Sequence, residues 1–126
     1  MMRYRDFLGR KASVLVMGCG GYGMGTSQMQ TNEFLDVYAE MGGNFLDTAR
    51  IYGDIPNEVF GISERAVGNW IAARHNRDEL VIGTKGGHPS VKSMNVGRLD
   101  RDNLTKDVYE SLNDLMIDYV DIYWLH

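Results

Sequence analysis

Short apolar runs that alternate with segments of helical periodicity constrain this sequence more than any other feature. The run at residues 14–17 ends in the glycine-rich stretch 18–23, which is typical of a strand that is buried on both faces and leads into a loop. Further apolar runs follow at 45–48, 80–84 and 120–125. An order in which strands and helices alternate predicts an α/β fold with a parallel sheet and right-handed crossovers.

Three segments between these runs have the apolar spacing of amphipathic helices. Thr31 is expected to cap the first helix, which Gly42 and Gly43 end. The second helix opens at Ser63, and residues 75–78 form the turn that follows it. The third helix carries its apolar face on Leu104, Val108, Leu112 and Leu115.

The number of predicted elements indicates which parallel fold this is. Residues 4–13, which turn at Gly9, predict a β-hairpin ahead of the first core strand. Four core strands and three helices are half of a (β/α)8 TIM barrel, which has eight strands and typically about 250 residues. We therefore expect residues 1–126 to form a single partial domain, the N-terminal half of such a barrel. If only this half is made, its open sheet edges predict self-association.

Composition and charge exclude several classes of partner. The formal net charge is -4, and no run of Lys and Arg marks a surface for nucleic acid or anionic lipid. No stretch approaches the roughly 18 apolar residues of a membrane span, and the residues after Met1 lack a signal sequence, so a cytoplasmic location is expected. Cys19 is the only cysteine and the histidines are well separated, so no metal site is expected. A small molecule is the expected partner.

Four polar side chains stand at the ends of the predicted strands or just beyond them. Asp47 ends the second strand, Lys85 the third and His126 the fourth, and Tyr52 lies in the loop after the second. Parallel barrel strands bring their carboxyl ends to one rim, so these side chains are expected to share a pocket. Each residue alone could equally be a structural ion pair or a packing residue. The shared rim is what favours a catalytic site.

This combination of side chains suits carbonyl reduction, in which a hydride reaches the carbonyl carbon and a proton must reach the oxygen. Tyr52 is the expected proton donor. A tyrosine hydroxyl is ordinarily a poor acid at neutral pH, with a pKa of about 10, so a nearby cation must stabilise the phenolate. Lys85 can supply that cation while paired with Asp47, and His126 can orient the substrate carbonyl through a hydrogen bond.

Several motifs resemble the aldo-keto reductase family, and they span almost the whole chain: residues 45–49 with 52–53, 61–64, 84–85, and 118–121 with His126. The resemblance implies an NADP(H)-dependent oxidoreductase that reduces aldehydes or ketones, sugar carbonyls included, with NAD(H) as the alternative cofactor. It also implies that Tyr52 is the general acid, that Lys85 and Asp47 support it, and that His126 positions the carbonyl.

The resemblance implies part of a cofactor site as well. Gly20, Gly21, Tyr22 and Asp47 would edge the nicotinamide and its ribose. The family's residues for the carboxamide, the pyrophosphate and the adenosine 2'-phosphate come from the second half of the barrel. Residues 1–126 alone are therefore expected to be inactive, and the substrate stays open.

The sequence is also compatible with two other functions. Residues 18–23 fit G-x-G-x-x-G after an apolar strand, which is the pattern of a Rossmann dinucleotide fold. That motif needs a helix that begins within the glycines, whereas residues 24–30 read as loop. A non-catalytic regulatory or interaction subunit of the same fold is the second alternative.

Three ring side chains are not assigned to the site. His88 lies in the loop after the third strand, where it could contact substrate or simply be exposed. Trp70 and Trp124 lie in apolar periodic segments and are expected in the core.

Overall fold

The computed structural model describes residues 1–126, and the chain opens with a β-hairpin. Strand β1 (Tyr4–Phe7) pairs antiparallel with β2 (Arg10–Ser13), so that Phe7 faces Arg10. Gly9, with a φ of 78°, supplies the left-handed conformation that the tight turn requires. The predicted hairpin and its turn at Gly9 are confirmed.

The main sheet has four parallel strands that follow the order of the chain. They are β3 (Val16–Gly18), β4 (Phe45–Asp47), β5 (Val81–Gly86) and β6 (Ile122–Leu125). Three helices connect them: α1 (Gln28–Glu40), α2 (Ile62–Arg74) and α3 (Arg101–Leu115). None of these helices combines the length and apolar character that a membrane span requires. The predicted partial barrel, with an N-terminal hairpin, four parallel strands and three helices, is confirmed.

The core lies between the sheet and the helices. Leu46 and Ile82 point from the sheet toward Leu35 of α1 and Val67 of α2, and all four side chains are fully buried. Burial of each such side chain contributes about 1.5–3 kcal/mol to folding. Trp70 belongs to the same cluster, so its predicted core position is confirmed.

The first helix begins earlier than the sequence suggested. Ser27 caps α1, and its hydroxyl and the Gln30 side chain form a capping box. Thr31 was expected to be this cap, which is wrong: it lies inside the helix, fully buried, with its hydroxyl 3.0 Å from that of Thr26. Thr31 lies four residues before Leu35, so both side chains are on the buried face of α1. The helix still begins beyond Gly23, outside the glycine run that a Rossmann motif would require.

The two edge strands are more exposed than predicted. Leu15 and Val16 are 63% and 47% exposed, so the expectation that this run is buried on both faces is wrong. Trp124 of β6 is 46% exposed, so its predicted core position is wrong too. The reason is the same at both edges: β3 and β6 each have only one neighbouring strand, whereas Val81 and Ile82 of the inner strand β5 are both buried. In a closed barrel every strand has two neighbours, so burial of these edge strands requires further strands beside them.

A charged cluster ties the hairpin to the amino ends of the strands. The Asp121 carboxylate accepts hydrogen bonds from Arg10 of the hairpin at 2.8 Å, from Arg77 at 2.9 Å and from the Ile82 amide at 2.8 Å. Burial alone would raise the pKa of Asp121, but the Ile82 amide and the two guanidinium groups hold it below its ordinary value. The hairpin is thereby fixed at the end of the sheet opposite the predicted site.

Replacing Asp121 with asparagine is expected to lower the free energy of unfolding by about 2 kcal/mol at pH 7, because two guanidinium groups lose their counter-charge. A lowered carboxyl pKa stabilises the fold above the ordinary aspartate value of about 3.9, so the difference from wild type should vanish as the pH falls through and below it. Urea denaturation at several pH values measures both effects. Asp118→Asn, an exposed carboxylate without a side-chain hydrogen bond, is the matched control. A destabilisation that persists undiminished at pH 3 would contradict the prediction.

Candidate active site

Lys85 is the centre of the predicted site, and its ammonium group has three acceptors. Lys85 Nζ lies 2.6 Å from Asp47 Oδ2 and 2.6 Å from the Thr48 carbonyl oxygen. The Tyr52 hydroxyl lies 3.5 Å away, at the outer limit of a hydrogen bond. An ammonium group has three protons, so this arrangement satisfies all of them and fixes the direction of the charge. The ammonium group therefore lies directly beside a phenol hydroxyl.

The loop after β4 presents Tyr52 to Lys85. The Tyr52 amide donates to the Ala49 carbonyl at 3.1 Å, and the Tyr52 carbonyl accepts from the Ser63 amide at 3.3 Å. Gly53 allows the chain to pass closely, because a Cβ atom there would lie 2.0 Å from the Val59 carbonyl oxygen. The backbone of Tyr52 is therefore fixed on both sides by hydrogen bonds, and its side chain is half-buried.

His126 completes the group at the end of β6. Its amide donates to the Gly86 carbonyl at 2.9 Å, which fixes the backbone beside β5. Its ring stands edge-on to the Tyr52 ring, with centroids 6.1 Å apart. Partial burial, together with His88 and Lys85, lowers the pKa of His126 below its ordinary value. This shift favours the neutral ring, which keeps one N–H that can donate to a carbonyl oxygen.

The residues predicted to edge the nicotinamide are only partly brought together. Gly20 is exposed beside the site, and a Cβ atom there would lie 3.7 Å from the Tyr52 ring. Gly21 is exposed, with open space around it. Tyr22 is buried, with its ring stacked on Phe34 at a centroid distance of 6.4 Å, so it packs in the core rather than beside Tyr52. Their contact with a cofactor stays a prediction.

The preceding cysteine belongs to the core. The Cys19 side chain is fully buried, and burial raises the pKa of its thiol to about 12. The thiolate form is therefore scarce at neutral pH, and Cys19 is unsuited to act as a nucleophile. It contributes to packing beneath the glycine loop.

The site contains supporting contacts that residue types alone did not indicate. The Thr48 carbonyl, which binds Lys85, belongs to a residue whose hydroxyl lies 3.0 Å from that of Ser63. Next to Lys85, the Thr84 hydroxyl donates to the fully buried Glu64 carboxyl at 2.6 Å. The start of α2 thus braces the ends of both β4 and β5. Residues 61–64 were noticed as part of a motif, whereas a backbone carbonyl leaves no signature in a sequence.

The clustered side chains can deliver a proton to a bound group and stabilise negative charge that develops on it. The Tyr52 hydroxyl is the transferable proton, Lys85 is a fixed positive charge, and the neutral His126 ring is a hydrogen-bond donor. Donors that are already oriented toward a developing oxyanion lower a reaction barrier because little reorganisation is needed. The structure therefore brings together all four predicted catalytic residues: Asp47, Tyr52, Lys85 and His126.

Comparison with known proteins agrees with this geometry. Residues 14–126 match the model of the aldo/keto reductase family. The protein Tas of Escherichia coli is 33% identical over 121 residues, which are 92% of this chain and 35% of Tas. Norsolorinic acid reductase of Aspergillus flavus is 35% identical over 94% of this chain and 32% of its own length. The chain thus spans about a third of the length of these relatives.

Solved structures show the same fold. The holo form of aldo-keto reductase AKR11C1 from Bacillus halodurans superposes with a TM-score of 0.77 and 29% identity. All of this chain is covered, against 40% of that structure. PA4992 from Pseudomonas aeruginosa gives a TM-score of 0.80 at 25% identity, with 98% of this chain and 46% of that one covered. On its fold, its four clustered side chains and these matches, the chain belongs to the aldo/keto reductase family.

Proposed function

We propose that residues 1–126 supply the proton-delivery half of an NADP(H)-dependent oxidoreductase that reduces aldehydes or ketones, with Tyr52 as the general acid. The observation that carries the proposal is the position of the Lys85 ammonium, bound to Asp47 and the Thr48 carbonyl and aimed at the Tyr52 hydroxyl. If Lys85 and Asp47 formed only a structural ion pair, the third ammonium proton of Lys85 would not need to face the hydroxyl of a tyrosine. Membership of the family supports carbonyl reduction in general.

Each residue has a defined role in the proposed reaction. The Tyr52 hydroxyl gives its proton to the carbonyl oxygen as negative charge develops there. Lys85 stabilises the phenolate that remains, and Asp47 keeps Lys85 in place and charged. His126 donates an N–H hydrogen bond that orients the carbonyl toward Tyr52.

The residues present fit one edge of a nicotinamide cofactor. Gly20 and Gly21 form an exposed surface without side chains beside Tyr52, which a flat ring could approach closely. The nicotinamide supplies the hydride when it is bound. NADP(H) is proposed over NAD(H) because a relative from Phanerodontia chrysosporium, 34% identical over 83% of this chain, is named aryl-alcohol dehydrogenase [NADP(+)].

Several further properties belong to the same proposal. The substrate is a small carbonyl compound, and neither nucleic acid nor membrane is part of the reaction. A cytoplasmic location fits a dissolved cofactor and substrate. The open edges of β3 and β6 would be covered by the second half of the barrel, or by a second copy if that half is absent. We call the protein in which residues 1–126 are joined to four further strand–helix units the full barrel.

The assay follows NADPH absorbance with 4-nitrobenzaldehyde as substrate. We expect the full barrel to turn over, with kcat/KM for NADPH at least about tenfold above that for NADH because a 2'-phosphate binds in a charge-assisted pocket. Residues 1–126 alone are the control and should show no turnover. Cofactor binding without turnover of any aldehyde or ketone would favour the non-catalytic alternative and contradict the proposal.

A further inference from the structure

His88 is a ring side chain beside the site that the proposed reaction does not use. It lies in the loop after β5, half-buried, and its ring stands edge-on to that of His126 with centroids 5.0 Å apart and planes at 73°. The Tyr52 ring lies 6.1 Å from the same His126 ring. His126 is therefore flanked by two rings, of which only Tyr52 has an assigned role.

The loop that carries His88 is held by an ion pair between Arg98 and the buried carboxylate of Asp107. Arg98 donates to the His88 carbonyl at 2.8 Å and to the Asp107 carboxylate at 2.6 Å. The other oxygen of Asp107, which is only 3% exposed, accepts from the Gly87 amide at 2.8 Å. Gly87 has a φ of 82°, and a Cβ atom there would lie 2.5 Å from Leu99, so the chain reaches His88 by a path that only glycine can take. An exposed, freely moving loop histidine would need none of these contacts.

The orientation of the His88 ring is fixed as well. Its Nδ1 lies 2.7 Å from the Pro89 carbonyl oxygen. A carbonyl oxygen can only accept, so Nδ1 bears the proton, and in the neutral ring Nε2 has none. The contact holds the ring against rotation about its side-chain bonds, with its edge set against His126.

The surroundings of His126 make a second positive charge there costly. The Lys85 ammonium of β5 lies nearby, the Asp47 carboxylate of β4 partly offsets its charge, and the Tyr52 and His88 rings stand edge-on to the His126 ring. Partial burial, His88 and Lys85 each lower the pKa of His126, and Asp47 raises it. A neutral His126 presents one donor and one acceptor, so the orientation of its ring decides which of them meets the carbonyl oxygen.

We propose that His88 is a positioning residue that holds the His126 ring in its orientation beside the reacting carbonyl. The inference rests on the proposed function, since it concerns how His126 meets the carbonyl. Asp107 of helix α3 binds Arg98, and Arg98 binds the His88 carbonyl. Helix α3 thereby influences the placement of the His126 ring, in addition to strand β6, at the end of which His126 lies.

The test compares two substitutions in the full barrel. His88→Ala removes the ring, and we expect kcat to fall about tenfold while KM changes less than about threefold, because a misplaced orienting group costs transition-state rather than ground-state binding. His88→Phe keeps an edge-on ring and should restore most of kcat. His75→Asn, at an exposed histidine that ends α2 with a left-handed backbone, is the matched control.

The second readout is the titration of the ring nitrogens by NMR, which requires no turnover. In His88→Ala, the His126 ring should titrate above wild type, because the partial burial that lowers its pKa is reduced. An unchanged His126 titration in a variant that still binds NADPH would overturn the proposal. If His88→Ala fails to fold, His88→Phe decides: it keeps a ring against His126 and should retain most of kcat, and a tenfold loss of kcat in this variant would overturn the proposal. If the proposed function is wrong, the wild-type protein itself will not reduce the aldehyde. The NMR titration of His126 can still be measured in that case, so the two failures are distinguishable.

Discussion

Replacing Tyr52 with phenylalanine is expected to lower kcat for NADPH-dependent aldehyde reduction in the full barrel by about 10²- to 10⁴-fold, the usual contribution of a general acid. The substitution removes the hydroxyl that lies 3.5 Å from Lys85 Nζ and leaves the ring. The contacts of that ring with Gly20 and His126 can therefore persist. The loss should appear in kcat, since the hydroxyl acts on charge that develops only in the transition state.

Two measurements separate this effect from a structural one. NADPH binding, followed by quenching of protein fluorescence, should change less than about threefold because uniform binding is untouched. Tyr109→Phe, at an exposed tyrosine of α3, removes a hydroxyl that has no hydrogen bond and should have wild-type activity. Full activity in Tyr52→Phe would contradict the assignment of Tyr52 as the general acid, although it would not affect the assignment of the fold.

Replacing Lys85 with methionine is the second large effect we expect. Methionine keeps much of the length of the side chain but removes the charge, so the Tyr52 phenolate loses its stabilising cation and the Asp47 carboxylate loses its partner. Loss of a fixed electrostatic group at a developing charge typically costs about 10²- to 10³-fold in kcat. The Thr48 carbonyl is left without its donor as well, which adds a cost in stability.

The pairing of Lys85 with Asp47 can be tested by a double-mutant cycle. Asp47→Asn alone should lower kcat less than Lys85→Met, because its role is exerted through the lysine. The double variant should lose about as much as Lys85→Met alone, since groups that act as one unit are not additive. Lys106→Met, at an exposed lysine of α3 in a weak 3.9 Å ion pair, is the control. Additive losses would contradict the view that the two side chains act together.

The fold was largely predictable from periodicity. The apolar runs and helical spacings gave all four parallel strands and all three helices, because burial of one face imposes those repeats on a sequence. The ends of elements were less predictable. Ser27 rather than Thr31 caps α1, since both residues suit a cap and only the packing of Thr31 against the sheet distinguishes them.

The clustering of the candidate active-site residues was predictable for a topological reason. Asp47, Lys85 and His126 end consecutive parallel strands, so their convergence follows once the strand order is known. The position of Tyr22 did not follow, because a residue in a glycine loop can face either the site or the core, and its ring packs on Phe34. Which loop residues can contact a cofactor therefore depends on the direction in which each side chain points.

The sequence by itself thus determined the order of strands and helices, the rim on which the four candidate catalytic side chains meet and the family to which the chain belongs. Only the tertiary structure decided that the Thr48 carbonyl is the third acceptor of Lys85 and that a buried Asp107 holds His88 against His126. The physical reason is the range of the interactions. Strand and helix patterns are local repeats imposed by burial, whereas backbone acceptors and loop contacts join residues far apart in the chain and depend on how the elements pack.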